Sequence, residues 1–578
     1  MPNRVVVGKD RPWFKIWPKL LPKSLDYPEI PLFEPAMVTA SRYPNKVAII
    51  YYGGSVTYKE LWDSILKFAT YLKRIGIRKG DRVAINLPNC PQFIIAYYGI
   101  LRANAIVVST DPMLSAEGLK LLLKDSGSKV LVTMAQSLPM VNEIAGSTSL
   151  EKVIACEYTD YIPDIPVLPI QPYTQKPVGI APPAQPWEGI MEETIDPPAI
   201  EVGTDDSSLI MYTSGTTGER KGVLHTHWSM TANSVRAAVW NYNFSSSVNL
   251  VIMPLFHIGA MHYCMTAPIL TGGSMVLLSR WDREAALQAI EKYQCTHFPN
   301  ITTIAVDILS VPDIDKRDLS SLIVFTGGGA AVPTAVGEKL TAKGLIYTEG
   351  YGLTEAGAGT HVNPRDRATV QCLGLPVLDI DSLIIDPETL RLMPIGESGE
   401  LIIRSPSMFK EFWNKPEETA RAFVEINEEK WFRTGDIVRM DENGNHYFVD
   451  RQKRMVNRAG LKVWPAAIEG EYYKHPAISE ACIIGTPNER VGEEIKVCVV
   501  LRQDFEGKIT ESEIINWSKE RFAAYEYPRI VEFVKDLPKN AGGKILWRLL
   551  PTFSTLTPRL RILPSSLSLS NSPKISGR

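Results

Sequence analysis

The chain has 578 residues, 45% hydrophobic and 22% charged, with a formal net charge of -2, a globular composition long enough for more than one core. So balanced a charge excludes the basic footprint of a nucleic-acid binder and points to small-molecule partners. Seven scattered cysteines without Cys-x-x-Cys and eight histidines without His-Glu-x-x-His indicate neither a disulfide framework nor a zinc site, which fits a reducing, cytoplasmic setting.

The opening MPNRVVVGKDRPWFKIWPKLLPKS lacks an apolar core followed by a small-residue cleavage site, so no secretory signal is expected. Its tryptophans are expected to pack on the protein body rather than anchor it to a membrane. No transmembrane segment is expected either, since Phe93 to Ser109 is interrupted by Arg102 and falls short of the roughly 20 residues a bilayer needs.

Leu61, Trp62, Ile65, Leu66, Phe68, Ala69 and Leu72 recur at helical spacing and predict an amphipathic helix over Ser55 to Ile77. Arg82 to Leu87 reads as a strand, Gln92 to Leu101 as an apolar helix, and Lys129 to Thr133 and Lys152 to Cys156 as further strands. This alternation predicts a mainly parallel sheet. Tyr161 to Pro198 is dense in proline and aperiodic, which predicts an extended surface connector between two subdomains. Beyond it, a helix at Ser229 to Val239, strands at Asn249 to Met253 and Ser274 to Leu278, a helix at Arg283 to Tyr293 and a strand at Ser321 to Thr326 predict a second, similar α/β subdomain.

From Asp379 to Val449, turn signals at Gly396-Glu397 and Glu442-Asn443-Gly444 separate short strands. After Asp450, a helix at Ala466 to Lys474, strands at Ser479 to Ile484 and Ile495 to Leu501, and a helix at Glu511 to Phe522 form a smaller set. The expected fold class is α/β: a large domain over 1–449, with two similar α/β subdomains and a small β-rich one, then a mobile α+β C-terminal domain over 450–550. Residues 551–578, rich in Ser, Pro and Leu and devoid of acids, are expected to be a disordered tail.

One stretch organises the chemistry. Tyr212 to His227 reads YTSGTTGERKGVLHTH after the apolar run Ser208 to Met211. Thr213, Ser214, Thr216 and Thr217 supply hydroxyls, Gly215, Gly218 and Gly222 allow close backbone approach to an anion, and Lys221 adds a cation. The spacing fails the Walker pattern, so this is a polyphosphate loop of another kind. It resembles the signature loop of the adenylate-forming superfamily, the acyl-CoA synthetases, luciferases and peptide-synthetase adenylation domains, with Arg220 where that family commonly has proline.

The resemblance extends through five more segments, and what it implies follows from their residues. Apart from these, Gly328, Gly329 and Ala330 form a Gly-rich strand end beside a helix start, a natural nucleotide contact in its own right. Gly350-Tyr351-Gly352-Leu353-Thr354-Glu355 matches the family's YGxTE motif, which implies Tyr351 against adenine, Thr354 on the α-phosphate and Glu355 on Mg²⁺. Asp436, in WFRTGD, would take the ribose hydroxyls. Arg451 would be a further nucleotide contact and Lys453 the hinge. Gly460 would line the pantetheine channel for CoA, and Lys544, in a segment similar to PKTxSGKI, would reach both the acid carboxylate and the α-phosphate. The cofactors implied are ATP, Mg²⁺ and coenzyme A.

His257, in PLFHIG, stands where amino-acid-activating members carry an acidic residue for the ammonium, so an amino acid is disfavoured and a position near an acyl entrance is implied. The resemblance thus implies an acid–CoA ligase acting on a medium- or long-chain fatty acid. A short-chain, hydroxy or aryl acid, a carrier-protein acceptor, a non-catalytic acyl or nucleotide sensor, and a homodimeric state all stay open.

Overall fold

The computed structural model describes residues 11–174, 176–213, 220–328, 332, 334–459, 461–539 and 545–550. The expected tail at 551–578 lies outside them. The described residues form two compact units: 11–454 with 539 and 545–546, and 455–538 with 547–550.

In the larger unit an eight-stranded sheet runs in the order Glu411–Phe412, Gly222–Thr226, Ser207–Tyr212, Ile106–Ser109, Arg82–Asn86, Val130–Met134, Lys152–Cys156, Gln185–Pro186. Its central strands are parallel and buried, as a sheet covered on both faces requires. The helix Tyr58–Arg74 covers one part of the core with Leu61, Ile65, Phe68 and Leu72. It starts later than the periodicity suggests because Gly54–Thr57 pairs as a strand with Val47–Tyr51. A capping box then opens the helix: Glu60 N donates to Thr57 Oγ1 at 3.2 Å, and Thr57 N donates to Glu60 Oε2 at 2.8 Å.

The proline-dense stretch does not join two subdomains. Gln185–Pro186 adds an edge strand beside Lys152–Cys156, and Ser207–Tyr212 re-enters the same sheet next to Ile106–Ser109. Nor does the stretch lie wholly on the surface: Trp187 is 1% exposed and stacks on Phe68 with ring centroids 5.4 Å apart. Proline bars this stretch from a central strand position, but an aromatic anchor among prolines still gains by burial.

The second sheet, nine-stranded, runs Leu375–Pro376, Ala358–Val362, Tyr347–Leu353, Val324–Gly328, His297–Ile301, Val248–Val251, Ser274–Leu277, Val47–Tyr51, Gly54–Thr57. A five-stranded antiparallel sheet follows, built from Asp381–Ile385, Ser398–Arg404, Phe423–Ile426, Glu429–Met440 and His446–Arg451. The N-terminal arm packs on this body: Trp13 and Trp17 are 2% and 8% exposed, and Trp17 meets Trp240 edge-on at 5.4 Å. Asp379 accepts from Ser24 Oγ at 2.6 Å and Tyr27 Oη at 2.7 Å, and Arg11 pairs with Asp381.

The smaller unit is α+β. Ile478–Asn488 and Gly492–Leu501 form a long hairpin, Ile530–Phe533 joins it in parallel, and helices Pro465–Tyr472 and Glu511–Lys519 contribute Ile468, Tyr472 and Ile514 to its core. Among the described residues no helix is long and apolar enough to cross a membrane.

Candidate active site

The strands Ser207–Tyr212 and Gly222–Thr226 are an antiparallel pair with Tyr212 opposite Gly222. Thr213 N donates to Lys221 O at 3.0 Å, so these two residues close the base of the signature loop. Ser214, Gly215, Thr216, Thr217 and Gly218 lie outside the described residues. Tyr212 Oη donates to Asp125 Oδ2 at 2.5 Å, which fixes one strand end. The Lys221 ammonium pairs with Glu418 and sits 5.0 Å from the centroid of Phe412, a partly exposed position from which a long flexible stem can swing.

Two parallel strands bring the next motifs together. Gly328 stands opposite Gly350, and a Cβ at Gly328 would lie 2.7 Å from the Gly350 carbonyl oxygen. At Gly352 a Cβ would approach the Ala358 carbonyl oxygen to 2.1 Å. Both glycines therefore have a packing reason in the closeness of neighbouring backbone, whatever else they admit. Gly329 and Ala330 lie outside the described residues.

Beyond Leu353 the chain makes a single turn, Thr354–Ala356, closed by Gly357 at φ 72°, whose N–H donates to Thr354 O at 3.1 Å. Three consecutive carbonyls of this turn are held from behind. His225 Nε2 bonds Thr354 O at 2.8 Å, Phe409 N donates to Glu355 O at 2.7 Å, and Ser407 Oγ donates to Ala356 O at 2.8 Å. His225 is buried, which pushes its pKa down to about 4, so the ring is neutral and its Nε2 carries the hydrogen that the carbonyl accepts.

The side chain of Glu355 has its pKa raised by burial and by Asp436, while Arg451 and Lys221 act in the opposite sense. Asp436 is 2% exposed; it accepts from Tyr351 Oη at 2.6 Å and lies 3.1 Å from Arg451 Nε. The register explains this meeting: Asp436 sits directly opposite Arg451 across the antiparallel strands, and Gly435 takes φ 69° immediately before it. Tyr351, Glu355, Asp436, Arg451 and Lys221 thus share one electrostatic neighbourhood in the larger unit.

The His257 side chain reaches solvent, and the protein atoms around its ring lower its pKa. His257 leads into Met261–Thr266, a π-helical segment of the kind often found at functional sites. Lys453 is exposed in the short 3₁₀ turn Gln452–Arg454, one residue before the boundary of the two units. Gly460 and Lys544 lie outside the described residues.

Sequence reasoning assigned no role to Ser407, Phe409 or His225. They reach the turn through contacts between segments distant in the chain.

The AMP-binding enzyme family matches residues 37–413, and the AMP-binding enzyme C-terminal domain matches residues 467–544. The long-chain-fatty-acid–CoA ligase of Bacillus subtilis (strain 168) is 35% identical over 93% of this chain and 97% of its own length. A feruloyl-CoA synthase of Amycolatopsis sp. is 32% identical over 87% of this chain and 95% of its own. The crystal structure of ATP-bound MatB from Rhodopseudomonas palustris superposes with a TM-score of 0.80 over 90% of this chain and 98% of that one; at 24% identity the likeness is one of fold. The chain belongs to the AMP-binding enzyme family, in the acid–CoA ligase branch of the adenylate-forming superfamily, as an AMP-forming acid–thiol ligase.

Proposed function

We propose that the cluster of Tyr351, Glu355, Asp436 and Arg451 holds ATP while a carboxylate oxygen of the acid attacks the α-phosphorus. The bond to the β-phosphate breaks, pyrophosphate leaves and acyl-AMP remains; the CoA thiol then takes the acyl group and AMP departs. The observation that carries this reading is the meeting of Tyr351 Oη and Arg451 Nε on the buried Asp436 carboxylate, beside the turn of Thr354 and Glu355. Asp436 can exchange these partners for ribose hydroxyls, Thr354 can donate to an α-phosphate oxygen, and Lys221 and Arg451 can offset phosphate charge.

Glu355 fits a magnesium ion. Mg²⁺ keeps waters and binds through one or two carboxylates plus substrate phosphates, and a single carboxylate burdened by burial meets that requirement. When bound, the ion neutralises phosphate charge. The hinge reading of Lys453 draws support from its place beside the boundary between the two units. Lys544 as the adenylating lysine and Gly460 as the thioester-channel residue rest on the motif resemblance.

Two acid classes are carried forward. A medium- or long-chain fatty acid is favoured by the Bacillus relative and by His257 in place of an acidic residue. An aryl acid is favoured by the feruloyl-CoA synthase relative and by Tyr263, whose hydroxyl occupies the space of a Cβ at Gly359 (1.9 Å) and so narrows the region behind the turn. Acid-dependent pyrophosphate exchange into ATP, with fatty, aryl, hydroxy and short acids in parallel, decides between them. Thioester formation that requires CoA tests the acceptor, and no exchange with any acid would overturn the enzymatic reading.

A further inference from the structure

Arg236 lies in the helix His227–Trp240 and is 1% exposed. Among the described residues its guanidinium contacts no carboxylate. Nη1 donates to Ser405 Oγ at 3.0 Å, Nη2 donates to Asn233 Oδ1 at 2.5 Å and to Ser407 Oγ at 2.7 Å, and Nε has no partner there. Asp379 acts on it electrostatically without touching it. A buried cation served only by neutral acceptors is a costly arrangement. Filling the same volume with an apolar side chain would remove that cost but would deprive Ser405, Asn233 and Ser407 of their donor.

What the guanidinium touches leads to the reaction site. Ser407 Oγ accepts from Arg236 and donates to Ala356 O at 2.8 Å, while Ser405 Oγ accepts from Arg236 and from Ser407 N at 3.1 Å and lies 3.0 Å from Ser407 Oγ. The cation therefore heads a directed chain of hydrogen bonds that polarise one another and end on the carbonyl of the residue after Glu355. Asn233 Nδ2, also unpartnered among the described residues, would lie 3.4 Å from a Cβ at Gly357, so the same cluster reaches the closing glycine of the turn.

We infer that Arg236 is a positioning residue for adenylation: through Ser405 and Ser407 it sets the turn that presents Thr354 and Glu355, without touching substrate. The inference rests on the reading of that turn as the phosphate and magnesium contact. A planar fork suits this role, because the three acceptors are met from two nitrogens, Nη1 on Ser405 and Nη2 on Asn233 and Ser407. An ammonium would have to reach all three from one atom at the end of a flexible stem.

The test is acid-dependent pyrophosphate exchange in Arg236→Met, Arg236→Lys and Ser407→Ala, with melting temperatures recorded alongside and Glu355→Gln as the control for the turn. A turn displaced by about an ångström costs on the order of 10²-fold in rate, so kcat is expected to fall about that much in both Arg236 variants while KM for the acid stays within about twofold. Ser407→Ala keeps the cation but removes both the acceptor of Nη2 and the donor to Ala356 O, and kcat is expected to fall about tenfold, on the scale of the lost hydrogen bond to the turn. Unchanged kcat in a folded Ser407→Ala overturns the inference, whether or not the Arg236 variants fold. So does a raised acid KM with unchanged kcat, which would make Arg236 part of the acid pocket, or full rescue by lysine. Normal magnesium-dependent exchange in Glu355→Gln would instead remove the reading of the turn, and the inference with it.

Discussion

Glu349, immediately before the Gly350 to Glu355 motif, should make stability depend on pH in a way that one substitution isolates. Its carboxylate is 7% exposed and accepts from Val332 N at 2.9 Å and Gln371 N at 2.5 Å. Burial outweighs those two hydrogen bonds and raises its pKa from 4.5 to about 7. Between these values the unfolded chain has released the proton and the folded chain has kept it. Stability therefore falls as pH rises through this window, by about 1.4 kcal/mol per unit and about 3 kcal/mol in all, and the loss is constant above it. Glu349→Gln removes the titration and leaves one backbone donor without an acceptor, a fixed cost of about 1–3 kcal/mol. Relative to the parent, the variant should gain about 2 kcal/mol between pH 5.5 and 8. With an unfolding entropy of about 2 cal/mol/K per residue, a unit of this size shifts by roughly 1 °C per kcal/mol, so melting curves of the pair should separate by about 2 °C across that range. Every other titrating group cancels in the difference. A melting-temperature difference that does not move with pH would refute the argument.

Other outcomes follow from the site and the fold. Asp436→Asn should raise KM for ATP by about 10- to 100-fold, the worth of hydrogen bonds to a charged group, in steady-state exchange kinetics; an unchanged KM would place the ribose elsewhere. Lys544→Ala should abolish acyl-adenylate formation while sparing thioester formation from supplied acyl-AMP, and loss of both would contradict the separation of the half-reactions. Trp13→Ala should lower stability by about 3–5 kcal/mol, read as a melting shift of several degrees, because the ring is 2% exposed in the body's packing; a shift under 1 °C would mean that the arm is not part of the folding unit.

Repeated local signals made much of the fold legible in the sequence. The seven apolar positions from Leu61 to Leu72 fix a helix because side chains three and four apart share a face, and the alternation of such helices with β-branched runs implies a covered parallel sheet. What stayed illegible was long-range pairing. Nothing in Tyr161 to Pro198 says that the chain leaves one edge of a sheet and re-enters it beside Ile106–Ser109, since strand order is set by contacts between distant segments.

The site divides along the same line. Tyr351, Glu355 and Asp436 sit in dense motifs because several chemical demands fall on a few consecutive residues, and the structure brings all three together through the pairing of Asp436 with Arg451. The groups that hold the turn in place face a different constraint. A carbonyl accepts a hydrogen bond from an imidazole, a hydroxyl or a backbone N–H, so His225, Ser407 and Phe409 share no residue type and no spacing. Their common property is where they end up, and geometry of that kind leaves no pattern in one sequence. The residues proposed to touch substrate are therefore written in motifs, while the groups that hold their turn are distributed over positions that only the folded chain identifies.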